Sequence, residues 1–292
     1  MSHPFDNFVF FGSSQFSVVV LDTLKKNGFF PSLIITLPDS PSGRGMKLAP
    51  SLAKLWAIEN KIDFIQPDKF DDSIIFKLKS YNLQLSLVSS YGKIIPKKVL
   101  DIPEFGSFNI HPSLLPKYRG PSPLQSQILA DEKEVGVTVI KMDEEVDHGE
   151  ILAQQNFQFS IFNFQNNPLT KSNFVGLGDF LFTKGTELFI ENFPKLAKGE
   201  ILKPQDDSKA TFTKKFDKKD SEINLEDNRK SWLTYQALGS TLGVFFFVKH
   251  KDKNIRVKIT EAEFNDGKFV PLKVIPEGKK EMRYEDFLRG IK

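Results

Sequence analysis

Cysteine is absent from the 292 residues. Disulfides, thiolate nucleophiles and cysteine-built metal centres are therefore excluded at the outset. No apolar run approaches the roughly 20 residues that span a bilayer, so no membrane partner is expected. Met1–Asn7 is polar and too short for a signal peptide ahead of the apolar Phe8–Phe11. These absences fit a cytoplasmic protein. The turn after Phe8–Phe11 offers only Gly12, where a dinucleotide fingerprint needs three glycines, which rules against NAD. No grouping of His, Asp and Glu has metal-ligand spacing, so no metal is expected. No serine sits in a nucleophile elbow. Charge is also nearly balanced, at +3 overall. Its division says slightly more: from Gln205 onward 19 Lys and Arg face 15 Asp and Glu, against 21 and 22 before it. A mildly basic C-terminal segment suits phosphate contact and a solvated surface equally well.

What is present alternates. Phe8–Phe11, Leu33–Leu37, Phe64–Gln66 and Leu83–Val88 read as strands, with Phe16–Lys26, Leu52–Asn60 and Ile74–Ser80 as helices between them. This order predicts an α/β fold with a mainly parallel sheet covered on both faces. Val135–Met142 and Ile151–Phe159 have strand character and are expected to pair across an acidic turn, Asp143–Glu150. Residues 160–173 read as a loop and Phe174–Leu196 as a helix, despite three glycines costing about 1 kcal/mol each. Ala197–Asp207 reads as an exit linker. Beyond it Val244–Lys249, Asn254–Ala262 and Lys268–Val274 are spaced as short antiparallel strands, and Met282–Ile291 as a short helix. Two domains are expected, residues 1–203 and 204–292.

The chemistry concentrates in Glu104–Leu124, EFGSFNIHPSLLPKYRGPSPL. A strand at Ser107–Ile110 brings Asn109 and His111 to one face at its carboxyl end, since residues two apart share a face. Sites in parallel sheets form there. Prolines at 112, 116, 121 and 123 forbid helix or central strand afterwards and stiffen the loop. Asn109 is a neutral amide donor. His111 is of the residue type suited to donate to an oxyanion or move a proton near neutral pH. Asp147, in the acidic turn, is an acceptor able to orient a histidine. An isolated Asn, His or Asp of this kind is more often a cap, a packed ring or a solvated charge.

Asn109-Ile110-His111, Ser113-Leu114-Leu115-Pro116 and Tyr118-Arg119-Gly120, followed by Gly136-Val137-Thr138, Met142-Asp143 and Val146-Asp147-His148-Gly149, together resemble the signature of the folate-dependent formyltransferases. The resemblance implies a Rossmann-like formyltransferase domain followed by a short OB-like β domain. It implies 10-formyltetrahydrofolate as formyl donor, Asn109, His111 and Asp147 as the catalytic trio, and Ser113, Leu114, Leu115 and Pro116 as the folate-binding run. Gly43-Arg44-Gly45-Met46-Lys47-Leu48 resembles the insertion with which members acting on methionyl-tRNA contact the acceptor end. Arg44 and Lys47 are thereby implied as tRNA-binding, and initiator methionyl-tRNA as the acceptor partner of a monomeric enzyme. An amino-sugar nucleotide as acceptor, hydrolysis of the formyl-folate, and a non-catalytic tRNA-binding protein are the alternatives. The insertion argues against the first two and the intact trio against the third.

Overall fold

The computed structural model describes residues 7–42, 46–160, 173–199, 202–251 and 253–291. In chain order these form β1 (Phe8–Gly12), α1 (Gln15–Lys26), β2 (Leu33–Ile35), β3 (Ser40–Ser42), β4 (Lys47–Ala49), α2 (Leu52–Asn60), β5 (Phe64–Ile65), α3 (Asp72–Ser80), β6 (Leu85–Ser89), α4 (Lys97–Leu100) and β7 (Ser107–His111). They continue with α5 (Pro123–Leu129), β8 (Glu134–Lys141), β9 (Ile151–Gln158), α6 (Asn173–Ala197), α7 (Asn228–Leu238), β10 (Val244–His250), β11 (Lys253–Asn265), β12 (Lys268–Pro276), β13 (Met282–Arg283) and α8 (Tyr284–Gly290). The chain groups into two compact units. The first is Met1–Pro121, Val135–Phe157 and Gly178–Phe212; the second is Ser122–Glu134, Gln158–Leu177 and Thr213–Lys292.

The first unit is built on a sheet in the order β5-β2-β1-β6-β7-β8-β9. From β5 across to β7 the neighbours run parallel, and β8 turns antiparallel to β7. The expected α/β architecture is what forms. Alternation along β1 explains how both faces are covered. Val9 and Phe11 join Leu33, Ile35, Leu78, Val88, Tyr91, Val99 and Leu100 in one buried cluster. On β7, Phe108 meets Phe189 and Phe193 of α6 at ring separations of 5.9 and 5.8 Å. Gly185 explains one of the helix's glycines. A Cβ there would lie 2.5 Å from Ile110 Cγ2 and 2.6 Å from Val137 Cγ2, so the bare backbone is what lets α6 seat on β7 and β8. Ser14 caps α1, with a reciprocal bond through Ser17. The stretch between β2 and α2 reads as a loop in the sequence. Its described ends pair as the hairpin β3–β4, with Ser40 opposite Ala49 and Ser42 opposite Lys47.

The second unit carries the antiparallel sheet β10-β11-β12-β13. Val244, Phe246, Val257, Ile259 and Val274 are buried in it. Helix α7, which the strand-like reading of this region overlooks, packs on β12 and on α5. Asp227 caps it by accepting from Lys230 N, and Trp232, Leu233, Gln236 and Ala237 are buried along it. The loop expected at 160–173 lies almost wholly outside the described residues. No described helix is long and apolar enough to cross a membrane.

Candidate active site

Strand β7 is held between two neighbours. Asn109 sits opposite Val88 of β6 and Ile140 of β8, and His111 opposite Thr138. Phe108 and Ile110 face the α6 side, so Asn109 and His111 share the other face at the carboxyl end. This is where open α/β sheets gather ligands. A central strand leaves these side chains little backbone freedom.

Asp147 meets both of them. The Asn109 side-chain amide donates to Asp147 Oδ1 at 3.2 Å. His111 Nδ1 lies 3.4 Å from the same oxygen. Asp147 Oδ2 accepts from Gly120 N at 2.8 Å. His111 is 4% exposed and its Nε2 is 3.0 Å from the Tyr118 carbonyl. A carbonyl oxygen only accepts, so Nε2 carries a hydrogen and Nδ1 is the nitrogen left for other partners. That nitrogen faces Asp147. The structure therefore brings together the three residues singled out in the sequence, and it aims a ring nitrogen of one at the carboxylate of another. Asp147 adopts a left-handed backbone, φ +51°. For a residue with a Cβ this costs about 1–3 kcal/mol, and such strain persists only where surrounding contacts over-determine it.

The run Ser113–Pro116 lies directly after His111. Ser113 N donates to the His111 carbonyl, Lys117 N to the Leu114 carbonyl, and Thr211 N to the Pro116 carbonyl. Thr138 Oγ1 of β8 donates to Ser113 O at 2.6 Å and accepts from Leu115 N at 3.1 Å. Gln154 of β9 donates to the Leu115 carbonyl at 2.8 Å. The Leu115–Pro116 bond is cis. The backbone of this run is thus largely occupied in holding the loop. Ser113 and Leu115 are buried, whereas Leu114 and Pro116 are half-exposed.

Sequence reasoning missed the layer behind Asp147. Gln205 donates through Nε2 to the Asp147 carbonyl at 2.9 Å and the Gly149 carbonyl at 2.8 Å. Its Oε1 accepts from Arg119 Nε and Nη2 at 3.1 and 2.8 Å. Arg119, 4% exposed, also pairs with Asp207 at 2.7 Å, which holds that carboxyl below its usual range. His148 Nδ1 lies 2.6 Å from Asp143 and Nε2 3.5 Å from Asp207. The hydrogen bond to Asp143 is the main cause raising the His148 pKa above its ordinary value. The stretch that reads as an exit linker is in fact stitched in. Lys203 exchanges two backbone bonds with Ile151, and Thr211 pairs with Pro116 and Arg119. The one available signal was Arg119 in Tyr-Arg-Gly, because a buried arginine must find partners.

Lys47 is exposed on β4. Arg44 lies outside the described residues. His250 is half-buried, with Nδ1 3.2 Å from the Ile291 carbonyl. Among the described residues no group of three or more His, Cys, Asp or Glu is placed to hold a metal ion. As an assembly, an amide donor, a histidine and a carboxylate at a buried strand end can polarise a carbonyl and move a proton. Those are the elements of acyl transfer to an amine.

The sequence matches the formyl transferase family over residues 6–165. It is 35% identical, over 308 residues, to methionyl-tRNA formyltransferase of Thermodesulfovibrio yellowstonii, covering 97% of this chain and 96% of that protein. The fold resembles that of methionyl-tRNA formyltransferase from Clostridium thermocellum, with TM-score 0.59 and 17% identity, covering 95% and 99% of the two chains. It also resembles HypX from Aquifex aeolicus in complex with tetrahydrofolic acid, with TM-score 0.61 and 15% identity. That match takes in 98% of this chain and 47% of the other, so this chain spans about half of HypX.

Proposed function

The chain belongs to the formyl transferase family, and on that premise we propose that it transfers the formyl group of 10-formyltetrahydrofolate to the amino group of methionyl-tRNA. The observation that carries the reading is the convergence of Asn109 and His111 on one carboxylate oxygen of Asp147 at the end of β7. Whole-length similarity to a methionyl-tRNA formyltransferase supports the acceptor.

The amine nitrogen forms its bond to the formyl carbon while the bond from that carbon to the folate nitrogen breaks. The electron pair stays on the folate nitrogen, and the proton lost by the amine ends there. Negative charge gathers on the formyl oxygen in between. Asn109 has a second amide hydrogen besides the one given to Asp147 and donates it to that oxygen. A preorganised donor of this type is worth about 3 kcal/mol. His111, protonated on Nδ1, adds a charged donor, with Asp147 as its counter-charge. Asp147 also accepts the amine proton, directly or through a water, and returns it to the leaving nitrogen. The donor set fits a formyl-folate in this respect: it offers hydrogen bonds to a carbonyl and an acceptor for an amine. Half-exposed Leu114 supplies apolar wall for the pterin, and the Ser113–Pro116 loop holds it in place. Arg44 and Lys47 contact the acceptor end of the tRNA through phosphates and base edges.

The test is transfer of labelled formyl from 10-formyltetrahydrofolate, with charged initiator methionyl-tRNA and an amino-sugar nucleotide offered in parallel. Label on the methionyl-tRNA is expected. Label on the sugar alone would keep the formyl chemistry and remove the tRNA assignment.

A further inference from the structure

We infer that Gln205 is a positioning residue for formyl transfer, holding the turn that presents Asp147; this rests on the transfer reaction proposed above. Gln205 touches neither the Asp147 carboxylate nor the side chains of Asn109 and His111. It acts on the backbone carrying the carboxylate, through the carbonyls of Asp147 and Gly149 at 2.9 and 2.8 Å. Both hydrogens of its amide nitrogen go to these carbonyls, and its oxygen accepts from both nitrogens of the Arg119 fork. The amide therefore has no spare capacity, and only an amide of this length supplies donors to one side and an acceptor to the other.

The other end of the link is the loop that orients His111. Arg119 follows Tyr118, whose carbonyl takes the His111 Nε2 hydrogen at 3.0 Å. Gly120 N, one residue further, donates to Asp147 Oδ2 at 2.8 Å. Thr211 fastens the same loop by accepting from Tyr118 N at 2.8 Å. Residues 203–211 thus form a brace between two segments distant in sequence, one bearing Asp147 and one fixing His111. Without the Gln205 amide the left-handed Asp147 is held through its carboxylate, by Gly120 and Asn109. The turn then keeps the Lys141–Glu150 bond at its base and the His148 contacts but loses the bonds to the Asp147 and Gly149 carbonyls, and Oδ1 shifts from its place opposite His111 Nδ1. A displacement of about 1 Å in a reacting group costs on the order of 10²-fold in rate.

Two variants test this in single-turnover formylation with saturating and limiting substrates. Gln205→Met keeps the shape and removes both donors. Gln205→Glu keeps the bonds from Arg119 but sets a carboxylate against two carbonyls. Each is expected to lower kcat about 10²-fold with KM for formyl donor and methionyl-tRNA within about threefold. Gln205→Met also lowers the melting temperature, because the buried Arg119 fork loses its acceptor, so the rates are read on protein shown to be folded at the assay temperature. In an Asp147→Asn background, Gln205→Met is expected to cost less than about threefold more, because residues acting through one another are not additive. The inference is overturned by Gln205→Met with undiminished kcat, by a rise in KM in place of the fall in kcat, or by the same loss in both backgrounds. Absence of transfer by the unmodified chain would instead remove the parent reading and this one with it.

Discussion

Replacing Asp147 by Asn changes one oxygen to an NH2 group and leaves the volume alone. The new amide can still accept from Gly120 N, now at 2.8 Å from Asp147 Oδ2, if its nitrogen takes the place of Oδ1. That nitrogen then faces His111 Nδ1 and the Asn109 amide, which lie 3.4 and 3.2 Å away. Asn109 must flip to avoid opposing two NH2 groups, turning its donor away from the formyl oxygen. The imidazolium loses its counter-charge at the same time. A unit charge pair at 3.4 Å is worth about 5 kcal/mol at an effective dielectric of about 20. Both side chains are largely buried, so little of this is screened by solvent. At 1.36 kcal/mol per decade the change predicts a kcat lower by about three to four decades. That agrees with the range of roughly 10²–10⁴ for removing a general acid–base group. The assay is single-turnover transfer of labelled formyl to methionyl-tRNA, with tRNA affinity measured separately by filter retention. Affinity is expected to hold within about threefold, because no described contact joins Asp147 to the implied tRNA-binding residues. A folded Asp147→Asn protein with kcat within about threefold of the parent would refute both the role of Asp147 and the electrostatic reasoning behind it.

Gly149→Ala is predicted to lower formylation by about tenfold or more, since its Cβ would lie 1.8 Å from the Lys141 carbonyl and the turn must move; an unchanged rate would show that the turn relaxes without disturbing Asp147. Phe189→Ala is predicted to destabilise the first unit by about 3–5 kcal/mol, because Phe189 is fully buried against Phe108 and Phe193; urea denaturation checks it, and a loss under about 1 kcal/mol would contradict the packing argument. His148 has its folded pKa raised, chiefly by the hydrogen bond to Asp143. Its contribution to stability is therefore complete below the unfolded value of about 6.5 and is lost as pH rises through the raised folded value. Parent and His148→Gln melting temperatures should differ at about pH 5.5 and converge at about pH 9, whereas a constant difference would exclude the ion pair as its source. Arg44→Ala is predicted to raise KM for methionyl-tRNA about tenfold and leave KM for the formyl donor alone; an equal loss with a minimal amine acceptor would place Arg44 elsewhere in the reaction.

The α/β half was legible because its strands and helices each carry their own period. Phe8–Phe11 and Leu83–Val88 are short apolar runs bounded by turns, and the sheet joins them as parallel neighbours. The β3–β4 hairpin was not legible. Three residues pair on each side, Pro41 sits inside one of them, and Lys47 and Leu48 are exposed, so no apolar alternation marks it. Helix α7 was legible in principle. Its buried positions 232, 233, 236 and 237 recur at helical spacing behind the Asp227 cap, but Arg229 and Lys230 at its start blur the apolar stripe and the flanking strand patterns dominate the reading.

The site divides along the same line. Asn109 and His111 could be placed from the chain alone, because a period of two settles their common face wherever the strand lies. Asp147 is harder, being 38 residues from Asn109, yet one coarse expectation suffices. Once the strands flanking 143–150 pair as neighbours, the turn between them must close near the end of β8. It does so through Lys141 N to the Glu150 carbonyl, beside Met142 N to the Ser107 carbonyl of β7. Pairing thus delivers Asp147 to the strand that bears Asn109 and His111. It does not set the angle of the carboxylate. That depends on Gln205, 58 residues beyond Asp147, and on Arg119, 86 residues before Gln205. No periodicity connects such residues, and an uncharged side chain in a linker-like stretch gives no local sign of a partner. Topology, which follows from apolar pattern, brings the groups of the candidate site to the same place. Their fine orientation rests on single polar contacts between distant segments, and only the folded arrangement displays those.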